Sequence, residues 1–247
     1  MEVHAHSHTP RKKWTHYFWE FLMLFLAVFC GFLAENQREH LIEHQREKQF
    51  MRSLVRDLKA DTAKFNELIA NRVIREAKMD SLTFLLNSDS AEHRTNDIYF
   101  FAIAIPRVTI YQFIPNDGTL QQLKNSGGLR LIRNRSVTDS IIKYDAAIRA
   151  LFRFDDQEQA IINLHREMAP KIFNGIELGK FSDIDNLPVR LDHNPELMPG
   201  YKNFLNEFNY RVLSVKNVNK GYRREARKLL QQAVNLLHAL KKEYHLE

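Results

Sequence analysis

Hydrophobic positions follow two different rules along this 247-residue chain. Between Phe21 and Ala34 the run FLMLFLAVFCGFLA has 14 residues, none charged and no polar stripe among them. Extending it upstream to Tyr17 admits only Glu20 and gives 18 residues. As a helix those residues span roughly 27 Å, near the length needed to cross a hydrocarbon core of about 30 Å. A helix in a soluble fold keeps a polar face, so a buried core helix is the poorer reading. A cleaved signal wants small residues before the cut, and here bulky Phe32 stands third from the only attractive one, after Ala34. Phe29 before Cys30 likewise lacks the small residue of a lipoprotein signal. Trp14, Tyr17 and Trp19 gather at one end, as aromatics do at a bilayer interface. The expectation is a tail over 1–13, a retained transmembrane helix over 14–35, and a helical domain over 36–247.

Beyond the span, apolar residues recur in steps of three and four. No proline or glycine lies between Gly31 and Pro106, so the helix is predicted to run on over 36–87, where NSDSAEHRTND turns polar. Met51, Leu54, Leu58, Phe65 and Leu68 fall on a heptad seam, but Asp61 and Arg72 occupy two of its other slots. One face of a helical bundle therefore suits the segment better than a strict coiled coil. Residues 97–114, DIYFFAIAIPRVTIYQFI, fit a hairpin broken at Pro106 or a short buried helix over 97–105. The helix is preferred in an otherwise helical chain. Asp117 or Thr119 is placed to cap a helix over 119–126, and Gly127-Gly128 ends it. Val137, Ile141, Tyr144, Ile148 and Leu151 mark a helix over 136–168. A long glycine- and proline-bearing connection follows, then helix over 201–246, with Tyr222, Ala226, Leu229, Ala233, Leu236 and Leu240 on its apolar face. The fold class expected is all-α: a single N-terminal transmembrane helix continuing into a bundle of about four longer helices.

Composition narrows the function classes. The formal charge is +6, and without residues 1–20 the balance is 33 basic to 28 acidic residues with no basic run. A nucleic-acid partner is therefore not expected. The one cysteine, Cys30, lies in the apolar stretch, so neither an intrachain disulfide nor a cysteine zinc site can form. Arg11, Lys12 and Lys13 crowd the span more densely than Arg38, Arg46 and Lys48 do on its other side. That favours a cytoplasmic N-terminus with 36–247 outside the cytoplasm.

The segment TLQQLKNSGGLRLIRNRSVTDSIIKY, with Thr119, Leu123, Lys124, Ser126, Gly127, Leu129, Ile132, Asn134, Ile141 and Tyr144, resembles a stretch of an uncharacterised family of small single-span membrane proteins of Bacteroidota, a domain of unknown function. The N-terminal HAHSHTPRKKW block and the phrase GFLAEN are similar as well. The resemblance implies a membrane anchor carrying a helical domain; taken with the charges flanking the span, the expected place is a bacterial inner membrane with 36–247 in the periplasm. The resemblance implies no active site.

Four sets of residues invite chemistry. His4, His6 and His8 alternate in a tail that binds Cu(II), Ni(II) or Zn(II) loosely, or is simply solvated, which is the simpler reading. His40, Glu43 and His44 spell the H-x-x-E-H order of inverted zinc peptidases, with both histidines on one helix face. They stand in a dense Glu/Gln/Arg/His helix where such matches arise by chance, with no distal carboxylate ligand assignable. Ser126-Gly127-Gly128 reads as a helix stop and not as a phosphate nest, and Asp155, Asp156 and Glu158 read as a solvated acidic face. Glu20 in the span marks either a contact or a carboxylate reaching the headgroups. No catalytic, metal or cofactor set is assigned. The expected role is a non-enzymatic protein-interaction or sensing module, its partners the lipid bilayer and a membrane or periplasmic protein. The alternative is a membrane-bound metal-dependent hydrolase using His40, Glu43 and His44.

Overall fold

The computed structural model describes residues 13–107 and 111–246. It is all-α: six α-helices and short 3-10 turns, with no strand among the described residues beyond two isolated bridges, Phe173 to Leu197 and Ser182 to Pro188. The helices are α1 (Trp14–Leu86), α2 (Thr95–Ala104), α3 (Gly118–Asn125), α4 (Arg135–Met168), α5 (Gly175–Lys180) and α6 (Leu205–Tyr244). The chain divides into two units, Met1–Gln49 and Phe50–Glu247.

In the first unit, the N-terminal part of α1 is long and apolar enough to cross a membrane, and none of that window is buried. Phe21, Phe25 and Phe29 stack along one side, centroids 6.3 and 5.9 Å apart. Polar residues then pair locally, Arg38 with Glu35 at 2.9 Å and His44 with Glu47 at 3.3 Å.

The second unit is built on three long helices: α1 from Phe50 onward, α4 and α6. Contacts fix their directions. Tyr144 meets Asp61 and Glu158 meets Arg72, so α4 runs parallel to α1. Asn209 meets Asn87 and Arg223 meets Glu76, so α6 runs antiparallel to both. A parallel pair needs a crossover, and residues 87–134 supply it by returning along the bundle. α2 lies at the end where α1 stops, and the non-helical 113–117 passes Asp61, which accepts hydrogen bonds from Asn116 N at 2.8 Å and Asn116 Nδ2 at 3.0 Å. The long helices thus number three, not four, because the segment that would complete a fourth is spent on this return.

Local chemistry sets the boundaries. Asn134 caps α4 by accepting from Ser136 N at 3.0 Å, and Asn174 caps α5 by accepting from Ile176 N at 2.9 Å. Asp117 stands at the N-cap of α3, but its carboxylate makes no cap bond and accepts from Gln121 Nε2 instead. Gly127 (φ +68°) and Gly200 (φ +75°) take the left-handed conformation, where a side chain is disfavoured. Over 97–105 the chain is helical, as α2, which buries Ile98, Tyr99 and Ala102.

The apolar interior falls into two clusters. One joins Met51, Leu54, Leu58, Phe65 and Leu68 to Val137–Leu151 of α4 and Tyr222–Tyr244 of α6. The other joins Met79, Leu82 and Leu85 to α2, to Ile162 and Met168, and to Phe208, Val212 and Val215. Each large apolar side chain fully buried in them contributes about 1.5–3 kcal/mol. Between the two clusters, the bundle is polar.

Candidate functional site

The interval is filled by charged side chains. Arg72, Arg75 and Glu76 lie one turn apart on α1, Glu158 projects from α4, and Asn219, Tyr222 and Arg223 come from α6. Arg72, Arg75, Glu158 and Asn219 are all at 0% exposure. Arg72 Nη2 donates to Glu158 Oε2 at 2.9 Å and Nη1 to Asn219 Oδ1 at 3.0 Å. Arg75 Nη1 donates to Glu158 Oε1. The arginines also reach the crossover: Arg72 Nε donates to Tyr111 O at 3.1 Å and Arg75 Nε to Ile105 O at 3.2 Å. Asn219 Nδ2 donates to Arg72 O at 3.0 Å and to Glu76 Oε1 at 2.9 Å, and Arg223 Nη2 to Glu76 Oε2 at 3.0 Å. The Arg72 guanidinium lies 3.5 Å from the centroid of the Tyr222 ring, and that of Arg75 lies 4.4 Å from the Tyr111 ring.

Both oxygens of Glu158 and both polar atoms of the Asn219 amide are engaged within the protein. Such a cluster binds three helices and the crossover in one register. A one-residue slip of any helix would strand a guanidinium or a carboxylate in a dry interior, at a cost of several kcal/mol. Arginine suits it because its planar fork meets a carboxylate and a carbonyl together and stays charged when buried. Desolvation lowers the Arg75 pKa, and Glu158 opposes that shift.

Burial also shifts two carboxyls and one imidazole of the domain. Burial pushes the Asp155 carboxyl up to about 6, against the lowering effect of Tyr222 and Arg72. Its Oδ1 is buried without a hydrogen-bond partner. Burial also lowers His165 to about 4, helped by the nearby Arg75 and Arg166; its Nδ1 has no partner and its ring lies 5.1 Å from that of Phe208. Desolvation raises Asp61, although Asn116 and Tyr144 donate to it.

The residues singled out from the sequence fare differently. The acidic face expected over Asp155, Asp156 and Glu158 is not a solvated one. Asp156 is exposed, Asp155 half-buried and Glu158 wholly buried, because positions 155, 158, 162 and 165 continue the apolar stripe of α4 in steps of three and four. The two polar residues of the heptad seam, Asp61 and Arg72, are likewise core residues with partners. The signal was present in both places as a charge standing where the periodicity demands burial. His40 Nδ1 lies 3.8 Å from Glu43 Oε2, and both side chains are about half exposed. Among the described residues no three His, Cys, Asp or Glu side chains come together as metal ligands. Ser126 ends α3, its Oγ donating to Gln122 O at 2.7 Å, and Gly127 follows in the left-handed conformation. Glu20 pairs with His16 at 3.1 Å. His4, His6 and His8 lie outside the described residues.

Surface grooves flank α6 among the described residues. One, of about 360 Å³, runs between α1 and α6 over Met79, Thr83, Val212 and Leu213 and carries the ion pair of Lys216 with Asp80. Another, of about 220 Å³, lies between α4 and α6 beside Tyr144 and Leu236. No protein-family model, curated protein or solved structure matches the chain.

Proposed function

We propose that this is a single-pass inner-membrane protein whose helical domain, residues 36–247, acts as a non-enzymatic interaction or sensing module. It stands with the small single-span proteins of Bacteroidota that the TLQQLKNSGGLRLIRNRSVTDSIIKY segment resembles. The N-terminus lies in the cytoplasm and the domain in the periplasm, and its partner is a protein of the membrane or periplasm. The observation that carries the reading is the stretch Phe21–Leu33 of α1, where eight Phe, Leu and Met side chains are 43–68% exposed. Lipid is the solvent that removes the cost of that exposure to water. Supporting the non-enzymatic role, the buried charged cluster has its carboxylates and amide tied to one another, so none is offered to a substrate.

Alkaline carbonate extraction tests the anchor, and reporters fused to either terminus test the topology. The protein is expected to stay with the membrane, with the C-terminal reporter active only outside the cytoplasm. Release into the carbonate wash, or a mature chain beginning after Ala34, would overturn the reading. Crosslinking in native membranes is expected to recover a reproducible protein partner, and a chain recovered only alone counts against the interaction role.

A further inference from the structure

Charge that is dispersed along the sequence is segregated by the fold. The first unit is neutral, with six basic and six acidic residues over 1–49, so the whole +6 belongs to the second. Within that unit, residues 117–149 and 220–246 carry 13 Lys and Arg against five Asp and Glu. Residues 87–107 and 150–219 carry 10 against 13. The helix register places these two groups in opposite halves of the bundle, on either side of the polar layer. Since Asn209 pairs with Asn87 and Arg223 with Glu76, the last turn of α6 falls level with about residues 52–55 of α1. The start of α4 falls there too, because Tyr144 pairs with Asp61 and Glu158 with Arg72 in parallel register. Exposed Arg130, Arg133, Arg135 and Lys242, with half-buried Lys241, therefore crowd one end of the bundle.

Local helix energetics do not explain Arg135. The first turn of α4 contains no acidic residue and begins with Arg135, whereas a helix N-terminus favours negative side chains. Lys241 and Lys242 do suit the C-terminus of α6, yet they add to the same field. This end also holds Phe50, where the second unit begins. Phe50 lies 14 residues past Asn36, the residue at which the chain has left the span. A stretch of that length reaches at most about 50 Å even when fully extended. Chain connectivity alone therefore limits the distance of Phe50 from the end of the span to about 50 Å.

We propose that the end of the bundle bearing Arg130, Arg133, Arg135, Lys241 and Lys242 is a docking surface for anionic phospholipid headgroups. The proposal rests on the membrane-anchored reading. Each basic side chain brought to an anionic surface shifts the docked population roughly fivefold, and the attraction fades beyond about 10 Å at moderate salt, so docking requires close approach.

The test uses the full-length protein in vesicles, with Cys30→Ser and a donor dye on His238→Cys at the basic end or on Ile184→Cys at the other. Energy transfer to headgroup-labelled lipid is read in phosphatidylcholine and in mixtures with about 30% phosphatidylglycerol. Transfer from position 238 is expected to rise with the anionic lipid, to fall in high salt, and to leave position 184 unchanged. The triple variant Arg130→Gln, Arg133→Gln, Arg135→Gln should lower the docked-to-undocked ratio on the order of 100-fold. Equal transfer in both lipids, or a triple variant that behaves as wild type, overturns the proposal. Lipid-independent transfer together with capture of a nucleic-acid duplex also overturns it and reassigns the surface. If alkaline carbonate strips the protein from the vesicles, the anchor is what has failed. Cosedimentation of the unanchored protein with anionic but not zwitterionic vesicles then still decides the headgroup surface.

Discussion

Replacing Glu158 with glutamine keeps the shape of the side chain and removes its charge. Two guanidiniums, Arg72 and Arg75, share that carboxylate and neither is exposed to water. Asn219 is neutral, and Glu76 is engaged by Asn219 and Arg223, so no second carboxylate bonds to either arginine. A buried pair broken from one side costs about 3–5 kcal/mol, a large share of the roughly 5–15 kcal/mol that holds a domain folded. Glu158→Gln is therefore expected to lower stability by about that amount. The measurement is urea unfolding in detergent, followed by far-UV ellipticity, with m compared between variants so that a changed denatured state is recognised. A companion variant replaces the triad together: Arg72→Met, Arg75→Met and Glu158→Leu. Removing all three charges abolishes the desolvation cost, a gain of about 1–4 kcal/mol in comparable triads. It also leaves Ile105 O, Tyr111 O and Asn219 Oδ1 without their arginine donors, at about 1–3 kcal/mol each. The losses offset the gain and exceed it at mid-range, by no more than the single variant is expected to lose, so the triple variant should be at least as stable as the single one. A Glu158→Gln loss below about 1 kcal/mol, or a triple variant less stable than the single, would refute this account of the layer.

Acid should act on the domain in two opposed ways. Asp155 has its folded pKa raised to about 6 from 3.8, so protonation favours the fold. Its contribution to stability grows as pH falls through 6 and is complete below 3.8; Asp155→Asn should raise stability at neutral pH and remove that rise, as read by melting temperature against pH. His165 has its folded pKa lowered to about 4 from 6.5, so its stabilising contribution is present above 6.5 and is lost as pH falls towards 4; His165→Leu should blunt the acid loss in the same scan. Tyr144→Phe removes the 2.9 Å bond that Tyr144 Oη donates to buried Asp61 and should cost about 1–3 kcal/mol in urea unfolding. Gly127→Ala forces a side chain into φ +68° and should cost about 1 kcal/mol in the same assay.

The sequence by itself determined the helical class and the long apolar stretch near its start. Both are written in local periodicity: FLMLFLAVFCGFLA has no polar side, and the steps of three and four along α4 and α6 permit only helix. The tertiary structure decided what periodicity does not encode. Helix direction was one such matter, because two parallel long helices require a crossover, and only the contacts of Asp61 with Asn116 and Tyr144 reveal that residues 87–134 provide it. The fate of charges on the buried stripe was another. Asp61, Arg72 and Glu158 each stood at a position calling for an apolar residue, but partners that satisfy them lie 39 to 147 residues away in the chain. Charge segregation belongs to the same class, since a net charge summed along the chain is blind to which end of a bundle each side chain reaches. Coulomb and desolvation energies depend on distances in space, and sequence spacing fixes those only within a few turns of one helix.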